Sequence, residues 1–528
     1  MKKVNFKSIA LLAFGLLLVG NLSYGQRGAT IPRVSNDTTG AAKDNLHLPL
    51  NTKKTTDHQV TIKGVKIDYE ATVGTLPVWD HNGKVVASLF YVYYKRKNVK
   101  DIDNRPLVYS FNGGPGSGNV WMNIGFTGPK KLKISKEGFP VQPYGVEENP
   151  YSLLDAADIV YISPVNTAFS RIVDKDVDPA EFFGEEADIK YLADAIRTFT
   201  GRFDRWKSPK FLIGESYGTT RVSGLALALQ ESQWMYLNGV VLVSPTGLGI
   251  DRSGPVQEGN LLPYYAATAW YHNALSADLQ NKELEDMLPE VEDFTVNEYI
   301  PALVRAGSLP QGEKEAIAAK IAKYSGISQK VILQHNLIID RSFFWKELLR
   351  DRGYTVGRLD SRYLGMDLND GGNQPDYNAE LTAWNHAFTP AINAYLKEDL
   401  QFDTDLQYYM FGPVHPWKSR EKSYFNQGSA GMDLSKAMRV DSGLHLMVMS
   451  GYYDGATDFF NAKYNMWHIN QNGKLSDRME WHGFRSGHMM YLREDDLKTG
   501  NELLREFIKK STPKVGEPIR YHDPKGRF

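Results

Sequence analysis

No cysteine occurs anywhere in the 528 residues of this chain. That absence excludes disulfides, thiolate metal sites, iron–sulfur clusters, a cysteine nucleophile and a thioether lipid anchor. A covalent nucleophile here has to be Ser, Thr, Lys, Asp or a similar group. An excess of one charge is missing as well. The 61 Lys and Arg stand against 62 Asp and Glu, a formal net charge of −1. Such a balance offers no global attraction for nucleic acid or an anionic membrane. Long apolar runs are also missing. Ile9–Val19 falls short of the ~20 residues a membrane-spanning helix needs, so no membrane anchor is expected. Internal repeats, charge blocks and low-complexity tracts are absent too.

What the chain does have is the composition of a folded protein, 42% hydrophobic and 23% charged. Its length suits two to four domains at about 150 residues each. Lys2, Lys3 and Lys7 precede the short apolar run, and Ser23-Tyr24-Gly25 follow it. A positive region, an apolar region and small residues predict a secretory signal peptide over 1–25. The expectation is an exported bacterial protein, periplasmic or secreted. Residues 26–58, polar and without apolar periodicity, are expected to form a flexible lead-in.

Strand-like segments follow at Val60–Ile62, Ile67–Val73 and Val85–Tyr94, with a turn signal at Asp80-His81-Asn82-Gly83. Apolar runs at Leu107–Phe111, Ile159–Ile162, Phe211–Ile213 and Val240–Val243 read as buried strands. Glu185–Thr200 lies between them with helical spacing of Ile189, Leu192, Ala193 and Ile196. Strands alternating with a helix predict a parallel sheet with crossovers. Residues 248–433 look mostly helical, around Val296–Arg305, Gln311–Lys323, Ser342–Arg350 and Glu380–Leu396, with Pro390 expected to kink or divide the last. Strand signals return at Leu444–Met449 and Arg478–Trp481, before a final helix over Asp495–Lys510. The expectation is an α/β sheet core in two parts, 59–247 and 434–528, split by a mostly helical cap insertion over 248–433.

Phe211-Leu212-Ile213-Gly214-Glu215-Ser216-Tyr217-Gly218 runs an apolar strand into G-x-S-x-G, and helix-compatible residues follow. That context suits a nucleophile elbow, where a sharp turn exposes the Ser216 hydroxyl. A serine needs a base, and the base an orienter. Asp454 and His488 each follow a strand end, and the chain order Ser, Asp, His suits an α/β-hydrolase. Asp458 is kept as the reserve orienter. The oxyanion of the tetrahedral intermediate needs donors. Asn112-Gly113-Gly114-Pro115-Gly116-Ser117-Gly118, after the strand Leu107–Phe111, offers them, with the Gly114 and Tyr217 amides as the expected pair. A phosphate loop is the rival for that segment, but G-K-[ST] is missing and Pro115 lacks a donor.

Together, Asn112-Gly113-Gly114-Pro115-Gly116, Gly128-Pro129, Asn149-Pro150-Tyr151-Ser152, Gly214-Glu215-Ser216-Tyr217, Ser450-Gly451-Tyr452-Tyr453-Asp454 and Gly487-His488 resemble the serine carboxypeptidases in order and spacing. The likeness runs from about residue 60 to about 510. It implies an α/β-hydrolase fold with an inserted helical cap, no metal or organic cofactor, and a peptide substrate with a free C-terminus whose last residues are released through an acyl-enzyme. By position it makes Ser216 the nucleophile, His488 the base and Asp454 its orienter. Asn112, Gly113 and Glu215 match the substrate-binding positions. An ionised Glu215 would repel a terminal carboxylate, whereas a protonated one donates to it, which predicts better binding at acidic pH. Two positions depart from the family pattern. Phe126 stands where the family has Glu, and Ser117 where it has Cys. Phe126 keeps open a second reading, a carboxylesterase or acyltransferase on the same triad. A catalytically silent binding protein is a third.

Other features carry less. Among the histidines no H-E-x-x-H occurs, and Asp367–Asn373 lacks the ligand spacing and closing Glu of a calcium loop. Phe343, Phe344, Trp345 and Trp384 are expected to be cap core. Arg171, Arg221 and Arg485 lie near the motifs without an assigned partner.

Overall fold

The computed structural model describes residues 47–420 and 428–521. The expected signal peptide, and the lead-in as far as residue 46, lie outside them. The lead-in is shorter than its composition suggested, because Lys53–Ile62 forms the first strand, β1. Its polar residues alternate with Val60 and Ile62 at the buried end, and every residue pairs with β2, Val65–Trp79. An edge strand needs only one apolar face, so its composition resembles that of a loop.

Further strands are β3 Val85–Arg96, β4 Leu107–Phe111, β5 Asp158–Ile162, β6 Arg171–Ile172, β7 Lys210–Glu215, β8 Gly239–Val243, β9 His445–Gly451 and β10 Met479–Phe484. They form one mixed sheet in the order β1-β2-β3-β5-β4-β7-β8-β9-β10, with β6 beside β3. The β1-β2-β3-β5 side is antiparallel, and pairing from β5 through β10 is parallel. The turn between β2 and β3 is the one signalled by Asp80-His81-Asn82-Gly83: Asp80 Oδ1 accepts the Asn82 and Lys84 N–H groups, and Gly83 takes φ +81°. The central strands are apolar on both sides because helices cover both faces. α1, Glu185–Arg202, and α2, Tyr217–Gln233, pack with Leu107, Tyr109, Leu212 and Val240 on one face. The closing helix Glu494–Ser511 packs with Val108, Phe211 and Val241 on the other.

The insertion is helical, as expected, but its helices belong to two cores. Leu262–Tyr271, Leu284–Phe294, Gln311–Ser325 and Arg341–Glu347 gather around Tyr264, Met287, Ile321 and Phe344, joined by Tyr452, Tyr453 and Phe459 from beyond β9. The helix Ala379–Ala394 instead buries Trp384, Phe388 and Ile392 in the core under the sheet. It runs through Pro390 as one element, so that proline does not divide it. Phe343, Phe344, Trp345 and Trp384 are buried core residues. Asp367, in the calcium-like loop, pairs with Lys346 at 2.6 Å. Among the described residues no helix is long and apolar enough to cross a membrane.

Candidate active site

The parallel strands β4, β7, β8, β9 and β10 lie side by side, and the segments leaving their carboxyl ends converge, as in open α/β sheets. Asn112 follows β4, Ser216 follows β7, Ser244 follows β8, and Asp454 and His488 lie just beyond β9 and β10.

Ser216 is the residue between β7 and α2, at φ 57° and ψ −128°. A non-glycine residue there is strained by about 1–3 kcal/mol. The surroundings enforce the turn: Ser216 N–H donates to Val243 O at 3.0 Å, and its carbonyl accepts Thr219 N–H at 2.9 Å. Small neighbours make it possible. A Cβ at Gly214 would meet the Gly218 carbonyl, and one at Gly218 would meet the Phe111 carbonyl. A Cβ at Gly113 would meet Tyr217 N, so the Asn112–Gly114 turn lies against the elbow. Gly114 takes φ +105°, a conformation that favours glycine. Tyr217 opens α2, where helix N–H groups have no partner within the helix. Among the described residues the Gly114 and Tyr217 N–H groups donate to no protein acceptor.

His488 Nδ1 lies 2.7 Å from Asp454 Oδ2. Asp454 also accepts Thr457 Oγ1–H at 2.7 Å and the N–H groups of Ala456 and Thr457 at 2.9 and 3.0 Å. Both side chains are almost fully buried. Burial is the largest influence on Asp454 and opposes its charge, yet His488 and the Thr457 donors hold it below the usual carboxylate range. Burial likewise opposes a charged His488, and Asp454, with Glu215 behind it, outweighs that and raises the imidazole above its ordinary value. Asp458 is not part of this pair. It caps the helix Phe459–Ile469 through Asn461 N–H and Asn461 Nδ2.

Glu215 is buried, with Tyr491 O–H donating to Oε1 at 3.0 Å and the Asn112 amide to Oε2. Burial is the main cause that raises its pKa. Phe126 is fully buried and stacks on Tyr491 with ring centroids 4.9 Å apart. The position where the family has an acid therefore supports the phenol that holds Glu215.

Several supports escaped the motif reading. Ser244 Oγ–H donates to His488 O at 2.7 Å, and Ser244 O lies 3.0 Å from Thr457 Oγ1. Leu359 O accepts His488 N–H at 2.6 Å. For Ser244 and Thr457 the only advance signal was position just past a strand end, and Tyr491 and Leu359 had none. Arg221 bonds Asp188 at 2.7 Å and donates to the carbonyls of Asn112 and Pro115, bracing the glycine-rich turn. Arg171 donates to Ala168 and Gln407 carbonyls, and Arg485 pairs with Glu283 and Glu285.

A sequence model of the family described as serine carboxypeptidase matches residues 66–482. The lysosomal protective protein of Mus musculus is 31% identical over 192 residues, 36% of this chain and 36% of that protein. The match thus spans little more than a third of that relative's length. A prohormone-processing carboxypeptidase from Saccharomyces cerevisiae, Kex1(delta)p, has a solved structure that matches with TM-score 0.50 at 14% identity. That match covers 84% of this chain and 91% of the other. At that identity the likeness shows a shared fold, an α/β-hydrolase sheet with helical insertions.

Proposed function

The chain belongs to the serine carboxypeptidase family, and from that premise we propose that it releases C-terminal residues from peptides through an acyl-enzyme on Ser216. The observation that carries this reading is the pairing of two couples around one elbow, Asp454 with His488 and Asn112 with Glu215. With Nδ1–H held by Asp454, Nε2 of His488 is the free nitrogen and takes the Ser216 proton as Oγ attacks the last peptide carbonyl. The Gly114 and Tyr217 amides receive the developing oxyanion. His488 returns the proton to the departing amine, then activates the water that frees Ser216. Neither metal nor organic cofactor enters these steps.

Glu215 selects the end of the chain. Protonated, it donates to the terminal carboxylate; ionised, it repels it. Because its pKa is raised, the protonated form extends to milder acidity than for a free glutamate. Chemistry needs neutral His488, whose pKa Glu215 also helps raise. For a peptide with a free C-terminus, kcat/KM is expected to follow a bell in pH, and binding to weaken between pH ~5 and pH ~8. A carboxylate-free ester should need only neutral His488 and rise to a plateau. Glu215→Gln should hold peptide binding nearly level across that range. Identical pH profiles for peptide and ester would remove Glu215 from carboxylate recognition.

Phe126 favours a second reading. It leaves Glu215 without the second acid of the family pattern, and a weakened terminal contact suits an esterase or acyltransferase. Mass-spectrometric digestion of matched free and amidated peptides separates the two. Stepwise loss from the free peptide alone supports the carboxypeptidase. An ester cleaved with both peptides intact supports the alternative. Export is part of the proposal and rests on residues 1–25. A mature N-terminus near Gln26 is the expected result in a host with a secretion pathway, and an intact Met1–Gly25 segment there would overturn it.

A further inference from the structure

Arg358 differs from the other arginines around the candidate site in that no described residue bonds its guanidinium. Its backbone lies within the scaffold of the site. Arg358 O accepts Gly455 N–H at 2.9 Å, beside Asp454, and the next carbonyl, Leu359 O, accepts His488 N–H. Arginines nearby are engaged: Arg341 donates to the Gly455 and Ala456 carbonyls, Arg362 pairs with Asp360, and Arg485 with Glu283 and Glu285. The Arg358 side chain is partly buried and, among the described residues, has no hydrogen-bond or ion-pair partner.

The charged groups around it are Glu380, Asp454 and Arg341. Neither carboxylate takes the fork. Asp454 is occupied by His488 and Thr457. Glu380 accepts Leu359 N–H at 2.9 Å, and its other oxygen is packed against Gly357. Geometry places Arg358 beside the reacting atoms: its carbonyl holds Gly455 N–H, next to Asp454, and the following carbonyl holds His488 N–H. A partly desolvated cation with no partner is costly to keep, and its planar donors match a carboxylate bidentately. On the elbow side the Asn112 amide is bonded to Glu215, and Phe126 contributes no polar atom.

We propose that Arg358 is a substrate-binding residue that takes a carboxylate of the peptide, either the terminal one or that of an acidic side chain. This deepens the carboxypeptidase reading and rests on Ser216 being the nucleophile. A permanent cation here adds to Glu215 a contact that does not depend on acid, and makes acidic peptides the favoured substrate class.

The test measures protection of Ser216 from a fluorophosphonate by three competitors. These are an acetylated dipeptide with a free terminus and no charged side chain, its amide, and an amidated dipeptide bearing a glutamate. Protection is compared within each variant, so a change in intrinsic labelling cancels. In Arg358→Gln, a carboxylate-bearing competitor should protect about 10–100-fold less well, with the neutral amide unaffected. Loss for the free terminus alone assigns the terminal carboxylate, and loss for the glutamate peptide alone assigns a side chain. Arg358→Lys, which keeps the charge, should recover part of the protection and covers the case of a poorly folded glutamine variant. Equal protection by the acids in wild type and both variants would overturn the proposal. No step requires turnover, so a failure to trim peptides would remove the carboxypeptidase reading while protection still decides Arg358.

Discussion

Replacing Ser216 with alanine is expected to abolish fluorophosphonate labelling and to lower peptide turnover by on the order of 10⁶-fold, the scale known for removing the nucleophile of a serine hydrolase. The substitution isolates chemistry from folding. Alanine and serine are both non-glycine residues and bear the positive φ of 57° at the elbow alike. The bonds that enforce the turn, Ser216 N–H to Val243 O and Thr219 N–H to Ser216 O, come from the backbone. The variant should therefore unfold at about the wild-type temperature while the hydroxyl, and with it the acyl-enzyme, is gone. Hydrolysis would then depend on oxyanion donors and substrate positioning acting on water. Labelling or turnover at wild-type levels in Ser216→Ala would remove the serine from the mechanism altogether.

Asp454→Asn is expected to lower kcat by about 10⁴-fold with KM little changed. The carboxylate receives His488 Nδ1–H, Thr457 Oγ1–H and two backbone N–H groups. An asparagine turned with its oxygen toward Ala456 and Thr457 presents an amide N–H to His488 Nδ1. That fixes the hydrogen on Nε2, the nitrogen that has to accept the Ser216 proton. The charge that keeps the imidazole above its ordinary pKa is lost at the same time, so burial dominates and the ring becomes a weaker base. Single-turnover kinetics would read the effect on acylation directly, and a loss smaller than about tenfold would make another group the orienter.

How far these residues could be found in advance varies with the length of the signal. The elbow is a contiguous string in which Gly214 and Gly218 are demanded by backbone atoms close in sequence or on the next strand, so it stands out unaided. Position past a strand end favours Asp454 over Asp458, and a hydrogen bond to a histidine 34 residues further on separates them. Phe126 reads as a lost acid, and only its stacking on Tyr491 shows that it supports the remaining one. Only the end of strand β1, Val60–Ile62, reads as a strand; Lys53–Gln59 reads as lead-in because an edge strand keeps one polar face.

The order of the motifs was enough for the sheet and the family, because each rests on local patterns: apolar runs for buried strands and small residues at a tight turn. The second layer belongs to the tertiary structure. Tyr491 and Asn112 meet on Glu215, Ser244 and Leu359 hold the backbone of His488, and the Arg358 guanidinium has no partner among the described residues. Those contacts join residues more than a hundred positions apart. They depend on how the ends of neighbouring strands and one segment of the insertion pack together, and no periodicity along the chain encodes that distance.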